Sequence, residues 1–189
     1  MKIAFTCKPV FGEIRCGDFG MYRIFESGGG VAILGDVTGH GSEAGGLAND
    51  LVKKVRLEES KNINQYLHEI HDLCSGRQGC AAGVLQINDC LEMSYAGVGN
   101  IRCYCFSGDE TSSFVSRDGV LGQRKPSCLL QKKKLKIGDL LMMYSDGVGD
   151  LNQRGFKPIY YESLEGMVHR VLHNFGKHTD DMSCMGVKV

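Results

Sequence analysis

The sequence predicts an α+β fold with antiparallel sheets. Three observations carry the prediction. Strand-like runs follow one another in hairpin succession, and helical stretches fall between groups of strands instead of alternating with each one. Turn residues separate the runs at short intervals. Glycine makes up 26 of the 189 residues, about twice the ~7% average. These glycines are scattered among apolar runs, as tight turns between strands require, and form no low-complexity linker.

Residues 19–26 (FGMYRIFE) read as a strand, Gly28-Gly29-Gly30 as a turn, and 31–36 (VAILGD) as a second, buried strand. After GDVTGHG, Ser42 is the predicted N-cap of a helix over 43–58, with Glu43 in its first turn. Ala44, Leu47, Leu51 and Val55 line one face of that helix. A second helix over 63–74 repeats the spacing with Ile63, Leu67, Ile70, Leu73 and Cys74. The small-residue run from Gly79 to Gly83 opens a strand through Ile87, and Asn88-Asp89 turns the chain. Segments 91–97 and 101–106 read as a hairpin, followed by strands at 112–116, 128–135 and 139–145. A helix over 162–174 presents Leu164, Met167, Val168, Val171 and Leu172, and a strand over 182–189 closes the sequence.

With 42% hydrophobic residues, a chain of this length forms one domain spanning 1–189. Its 22 basic side chains balance 22 acidic ones, which argues against a nucleic-acid surface or a polybasic membrane anchor. No apolar run approaches the ~20 residues of a membrane span, and the start leads into no signal segment. A cytoplasmic monomer is the expectation. The nine cysteines are odd in number and include no C-x-x-C pair, so neither a disulfide framework nor a zinc site is indicated. Cys103 and Cys105 fall on one face of a strand. Reduced cysteines serving as small apolar residues explain the set.

Chemistry points to aspartates. Asp18 in CGDFG, Asp36 in LGDVTGHG, Asp146 in MYSDGVGD, and Asp180 with Asp181 in HTDDMSCMGV each lie at a strand end or the mouth of a turn. Any one alone reads as a turn or cap residue, and Gly138-Asp139 is such a turn. An unpaired carboxylate cannot join the core, so several strand ends converging in a sandwich would gather a carboxylate cluster. Like charges that close repel, and divalent cations relieve them; all-oxygen ligation favours Mg²⁺ or Mn²⁺ over zinc.

In order, GDVTGHG, YAGVGN, LKIGDLLMMYSDGV and DDMS run through nearly the whole chain, from about Cys16 to Val187. This set resembles the SpoIIE-type branch of the PPM (protein phosphatase 2C-like) metal-dependent serine/threonine phosphatases, and within it the short phosphatases of bacterial stressosomes. The resemblance implies a sandwich of two antiparallel sheets flanked by helices and a centre of two Mn²⁺ or Mg²⁺ ions, a third being left open. Asp36 would bridge the ions with help from the Val37 carbonyl, Asp146 and Asp180 would complete the ligation of the first, and Asp18 would act from behind or through bound water. Asp181 would orient a loop, and Gly35 and Gly147 would let the backbone pass close to the ions. The implied chemistry is in-line attack on phosphorus by a water activated between the ions, with no nucleophilic side chain. Implied substrates are phosphorylated STAS-domain proteins of a stressosome, in negative feedback of stress signalling.

Some positions depart from the wider family. Eukaryotic members place a histidine two residues after the bridging aspartate, whereas His40 stands four after Asp36 and reads as orienting the Gly39–Gly41 turn. Their phosphate-holding arginine corresponds to Glu13; Arg15 is the nearest substitute and reads as an exposed arginine. The run Lys132-Lys133-Lys134 reads as a solvated hairpin edge, with docking of an acidic partner as its functional alternative. A catalytically silent phosphoprotein-binding module is the alternative to an enzyme, disfavoured by the complete aspartate set. A nucleotide-binding loop at 28–41 fails for want of a P-loop lysine or a G-x-G-x-x-G opening a helix. Only 17 residues precede Asp18, so the expectation is a domain without an upstream sensor, active as made.

Overall fold

The computed structural model describes residues 1–124, 126–158 and 163–189. The chain runs β1 (Lys2–Lys8), β2 (Asp18–Ile24), β3 (Gly30–Val37), α1 (Gly41–Lys54), α2 (Ile63–Cys74), β4 (Cys80–Ile87), β5 (Glu92–Val98), β6 (Arg102–Ser107), β7 (Glu110–Phe114), β8 (Gln131–Lys134), β9 (Leu140–Tyr144), α3 (Leu164–Phe175) and β10 (Met182–Lys188). The strands form two sheets, ordered β1-β10-β9-β6-β7 and β2-β3-β4-β5-β8. All neighbours are antiparallel.

Period-two alternation explains the layers. Along β3, Val31, Ile33 and Val37 pack toward α1 and α2, meeting Leu47, Leu51, Tyr66, Leu67 and Ile70. Ala32 and Leu34 on the opposite face join Leu85 and Tyr95 against Cys103, Cys105, Leu141, Met143, Met185 and Val187 of the other sheet. The outer face of that second sheet, with Met142, Tyr144 and Cys184, is covered by Leu164, Met167, Val168 and Val171 of α3. The result is helix, sheet, sheet, helix: the α+β sandwich the motifs imply. Asp36 shares the inter-sheet face of β3 with Ala32 and Leu34, so alternation delivers its carboxylate to the end of the seam between the sheets.

Helix α2 spans the predicted residues and is closed at its start by a capping box, with the Asn62 side chain accepting from the Gln65 N–H and the Gln65 side chain from the Asn62 N–H. Helix α1 differs at both ends. His40, not Ser42, occupies its N-cap position, and its side chain caps no helix N–H. Gly39 and Gly41 have φ of 91° and 79°, and this glycine-made turn starts the helix one residue before Ser42. At the other end the helix stops at Lys54, short of 58, because Val55 turns extended. There the Tyr66 hydroxyl donates to the Glu58 carbonyl at 2.6 Å and accepts from the Glu58 N–H at 2.9 Å, drawing that segment across α2. The α3 N-cap is Ser163, accepting from Gly166, while the predicted start at position 162 lies outside the described residues.

A larger correction concerns 91–97 and 101–106, which do not form a hairpin. β5 pairs with β4 and β8, and β6 with β7 and β9, in opposite sheets. The Gly99-Asn100 link carries the chain from one sheet to the other, and Gly99 has φ of 93°. β8 proves shorter than 128–135 and is an edge strand, so Lys132 to Lys134 do occupy a sheet edge. The Gly138-Asp139 turn is as read: the Asp139 carboxylate accepts from the Lys136 N–H at 2.9 Å. All nine cysteines are free, and Cys103 and Cys105 share the inter-sheet face. Among the described residues no helix is long and apolar enough to cross a membrane.

Candidate active site

The strand ends meet at one end of the inter-sheet seam. Asp18, the first residue of β2, is the direct cross-strand partner of Asp36, near the end of β3. Asp18 is 3% exposed, and its Oδ2 accepts a 2.6 Å hydrogen bond from Ser145, which follows β9 in the other sheet. Ser145 Oγ accepts in turn from the Ser183 N–H of β10 at 2.9 Å. This polar knot ties the two sheets together where the apolar seam ends. Asp146, next in the chain, accepts from Asn100 Nδ2 through its Oδ2 at 2.8 Å. Asn100 belongs to the crossing between β5 and β6, so the topology itself brings this donor to the site.

A cleft of about 470 Å³ opens here, lined by Asp36, Asn100, Asp118, Asp146 and Asp180 among others. Burial, and then the charges of Asp18, Asp146 and Asp180, push the Asp36 carboxyl up to about 9. Asp18 is pushed up to about 6, chiefly by burial and against the hydrogen bond from Ser145. Asp18 Oδ1, Asp146 Oδ1 and Ser183 Oγ are buried and make no hydrogen bond among the described residues. No three His, Cys, Asp or Glu side chains among those residues close into a ligand set; the carboxylates ring the cleft, as mutually repelling charges do. Crowded carboxylates with free lone pairs form an all-oxygen donor set for hard divalent cations.

The remaining predicted residues take clear places. The Val37 side chain is buried on the helix face, and its N–H donates to the Gly17 carbonyl at 3.2 Å. Asp181 is 2% exposed, and its two oxygens accept from the N–H groups of Val10 and Gly17 at 2.7 and 2.6 Å. It therefore clamps the segment leading into Asp18. The close approaches at Gly35 and Gly147 are to the protein itself: a Cβ would strike the Phe19 ring at Gly35 and the Asp181 carbonyl at Gly147. His40 Nδ1 lies 3.1 Å from Glu13 Oε1 in an exposed pair, and Arg15 is exposed with its stem against Gly45.

Asp118 was not among the residues picked from the sequence. Its segment is pinned beside the cleft by backbone bonds between Gly99 and Arg117, Arg117 and Gly97, and reciprocally between Cys80 and Leu121. The signal available was Asp118-Gly119, a turn dipeptide with no apolar strand before it. Asn100, Ser145 and Ser183 lay inside the quoted motifs, but their partners become visible only when the sheets meet.

Replacing Asp181 by Asn leaves one of two backbone donors facing an amide N–H₂, which cannot accept. Asp181→Asn is expected to lose about 1–3 kcal/mol of stability, read as a lowered midpoint in urea, with a milder loss of turnover than a ligand substitution. An unchanged midpoint would show that the clamp contributes nothing.

The family model of Stage II sporulation protein E (SpoIIE) matches residues 26–189, taking in Asp36, Asp146 and Asp180. The chain belongs to the SpoIIE family. It is accordingly a PP2C-type serine/threonine phosphatase. No curated protein sequence matches it significantly. Solved structures are similar in fold across the chain. One from work on the bacterial stressosome, as a modular system adapted to control secondary messenger signaling, has a TM-score of 0.86 at 23% identity, covering 98% of this chain and 97% of that one. RsbX in complex with magnesium has a TM-score of 0.82 at 18% identity, covering 97% and 92%. The PP2C phosphatase domain of SpoIIE from Bacillus subtilis, with a fragment of its regulatory domain, has a TM-score of 0.75 at 18% identity, covering 99% and 62%. SpoIIE membership and the PP2C fold thus agree with the motif order.

Proposed function

We propose that the cleft hydrolyses phosphoserine or phosphothreonine on protein partners with two divalent cations, Mn²⁺ or Mg²⁺, held by its aspartates. The observation that carries the reading is the convergence of Asp36, Asp146 and Asp180 on one cleft, with Asp18 the cross-strand partner of Asp36; the crowding pushes the Asp36 carboxyl up, and a shared cation would relieve it. In this reading Asp36, with the Val37 carbonyl, would be the residue the two ions share, and Asp146 and Asp180 would help hold them from the facing sheet. Asp18 supports Asp36 from behind or through water. When bound, such a cation pair activates water for in-line attack and neutralises charge on the phosphoryl oxygens.

The side chains have supporting work that needs no cation to describe. Asn100 holds Asp146 Oδ2 and leaves its Oδ1 without a hydrogen-bond partner among the described residues. Ser145 does the same for Asp18. Asp181 fixes the backbone that carries Asp18. Among the described residues no cysteine lines the cleft, so hydrolysis through a phosphocysteine has no residue to use there.

For substrates, the likeness to RsbX and to the stressosome structure supports phosphorylated STAS-domain proteins of a bacterial stress-signalling complex. The test is phosphate release from a phosphorylated STAS protein with and without Mn²⁺. Mn²⁺-dependent release is the expected result. If p-nitrophenyl phosphate is hydrolysed and the STAS phosphoprotein is not, the partner assignment falls while the catalytic one stands.

A further inference from the structure

The acidic cleft continues past Asp146. Gly99, Asn100 and Asp146 also border a second hollow of about 590 Å³, lined further by Arg102, Tyr104, Ser113, Val115 and Lys177. Two cations face it. Arg102 is engaged by the Asp150 carboxylate, which Tyr104 also contacts at 3.2 Å. Lys177 is different. Its backbone N–H donates to the Gly147 carbonyl at 2.8 Å, registering it against the residue after Asp146. The Lys177 side chain is exposed and, among the described residues, makes neither an ion pair nor a side-chain hydrogen bond. It lines the second hollow and not the cleft around Asp36, Asp118 and Asp180, so its charge lies beside the reacting centre and not on it.

We propose that this hollow seats the polypeptide flanking the phosphorylated residue, and that Lys177 selects an acidic side chain there. The inference rests on the phosphatase reading of the cleft. A phosphoprotein must lead its chain away from the reacting residue, and an extended chain advances ~3.3 Å per residue. A neighbour two residues away therefore reaches a hollow that shares its border with the cleft. Val115, 55% exposed beside the buried Phe114, offers apolar contact for such a chain. Lys177 offers the charge: it is the one cation lining either hollow, among the described residues, that has no acidic partner of its own.

Two synthetic nonapeptides centred on phosphoserine, one flanked by Glu and the other by Lys, test this, with p-nitrophenyl phosphate run on each preparation to read the chemical step. Wild-type protein in Mn²⁺ is expected to favour the Glu peptide about fivefold in kcat/KM, mostly through KM, as one partly exposed ion pair allows. Lys177→Glu should remove or invert the preference, and Lys177→Arg should retain it. A Lys177→Glu protein with the wild-type preference would overturn the proposal. Wild-type protein inactive on both peptides and on p-nitrophenyl phosphate would instead overturn the phosphatase reading on which it rests.

Discussion

Asp36→Asn is expected to lower turnover in saturating Mn²⁺ roughly a thousandfold, beyond the ~10–100-fold typical of losing a group that only orients a ligand. The reason is position. Asp36 stands between a strand buried on both faces and a glycine-rich turn, opposite Asp18, with Asp146 and Asp180 across the cleft. No neighbouring carboxylate can take its place without moving a strand. Asp146→Asn and Asp180→Asn should also be severe. A variant at position 36 retaining more than about a tenth of wild-type turnover, a deficit smaller than any ligand loss should give, would refute the bridging role.

The same substitution has an opposite effect on stability. The folded-state value of Asp36, about 9, lies above its ordinary 3.8. The folded protein therefore holds a proton that the unfolded chain releases, and the stability this contributes is lost as pH rises toward 9. Asn removes that penalty. In chelator near pH 8, Asp36→Asn should be more stable than wild type by about 1 kcal/mol, or ~2–4 °C in melting temperature for a chain of this size. Lower activity with higher metal-free stability separates loss of a ligand from loss of the fold. A variant that melts below wild type in chelator would contradict the crowding of carboxylates around Asp36.

Chelation is the second large effect. Removing divalent cations should reduce hydrolysis to background, and Mn²⁺ or Mg²⁺ should restore it. A thermal readout stands apart from activity: at ~100 times its Kd, a cation that binds only the folded state adds ~2.7 kcal/mol of stability. The melting temperature should therefore rise by roughly 5–10 °C. Alanine at Asp36, Asp146 or Asp180 should blunt that rise, and alanine at the exposed Asp109 should not. Turnover that survives exhaustive chelation, or a phosphorylated enzyme trapped during turnover, would sink the metal-activated water.

Much of this site could be read from the chain alone. Asp36, Asp146 and Asp180 are legible because each carboxylate interrupts an apolar run at a glycine or a short polar residue, a place where burial without a partner would be prohibitive. Asp181 is legible as a loop-orienting residue by resemblance, but not its two backbone donors, which lie 171 and 164 residues away. Asp118 was missed because an exposed Asp-Gly looks like every other turn until its segment is tied to β4 and β5.

What the sequence by itself determined was the type and order of the elements after β1, and the facing of those with a clear period. The fold class, the span of α2 and the face shared by Cys103 and Cys105 all follow from local periodicity and turn chemistry. Only the tertiary structure decided which strands pair. β5 and β6 are neighbours in the chain and read as a hairpin, yet they enter opposite sheets. Alternation says which way a side chain points but not which strand lies alongside, and β9, buried at every position, has no alternation to read. Strand partners are chosen by long-range burial, here the closing of two apolar faces on each other. That choice carries Asn100 to Asp146 and Ser145 to Asp18, turning four separate strand ends into one site.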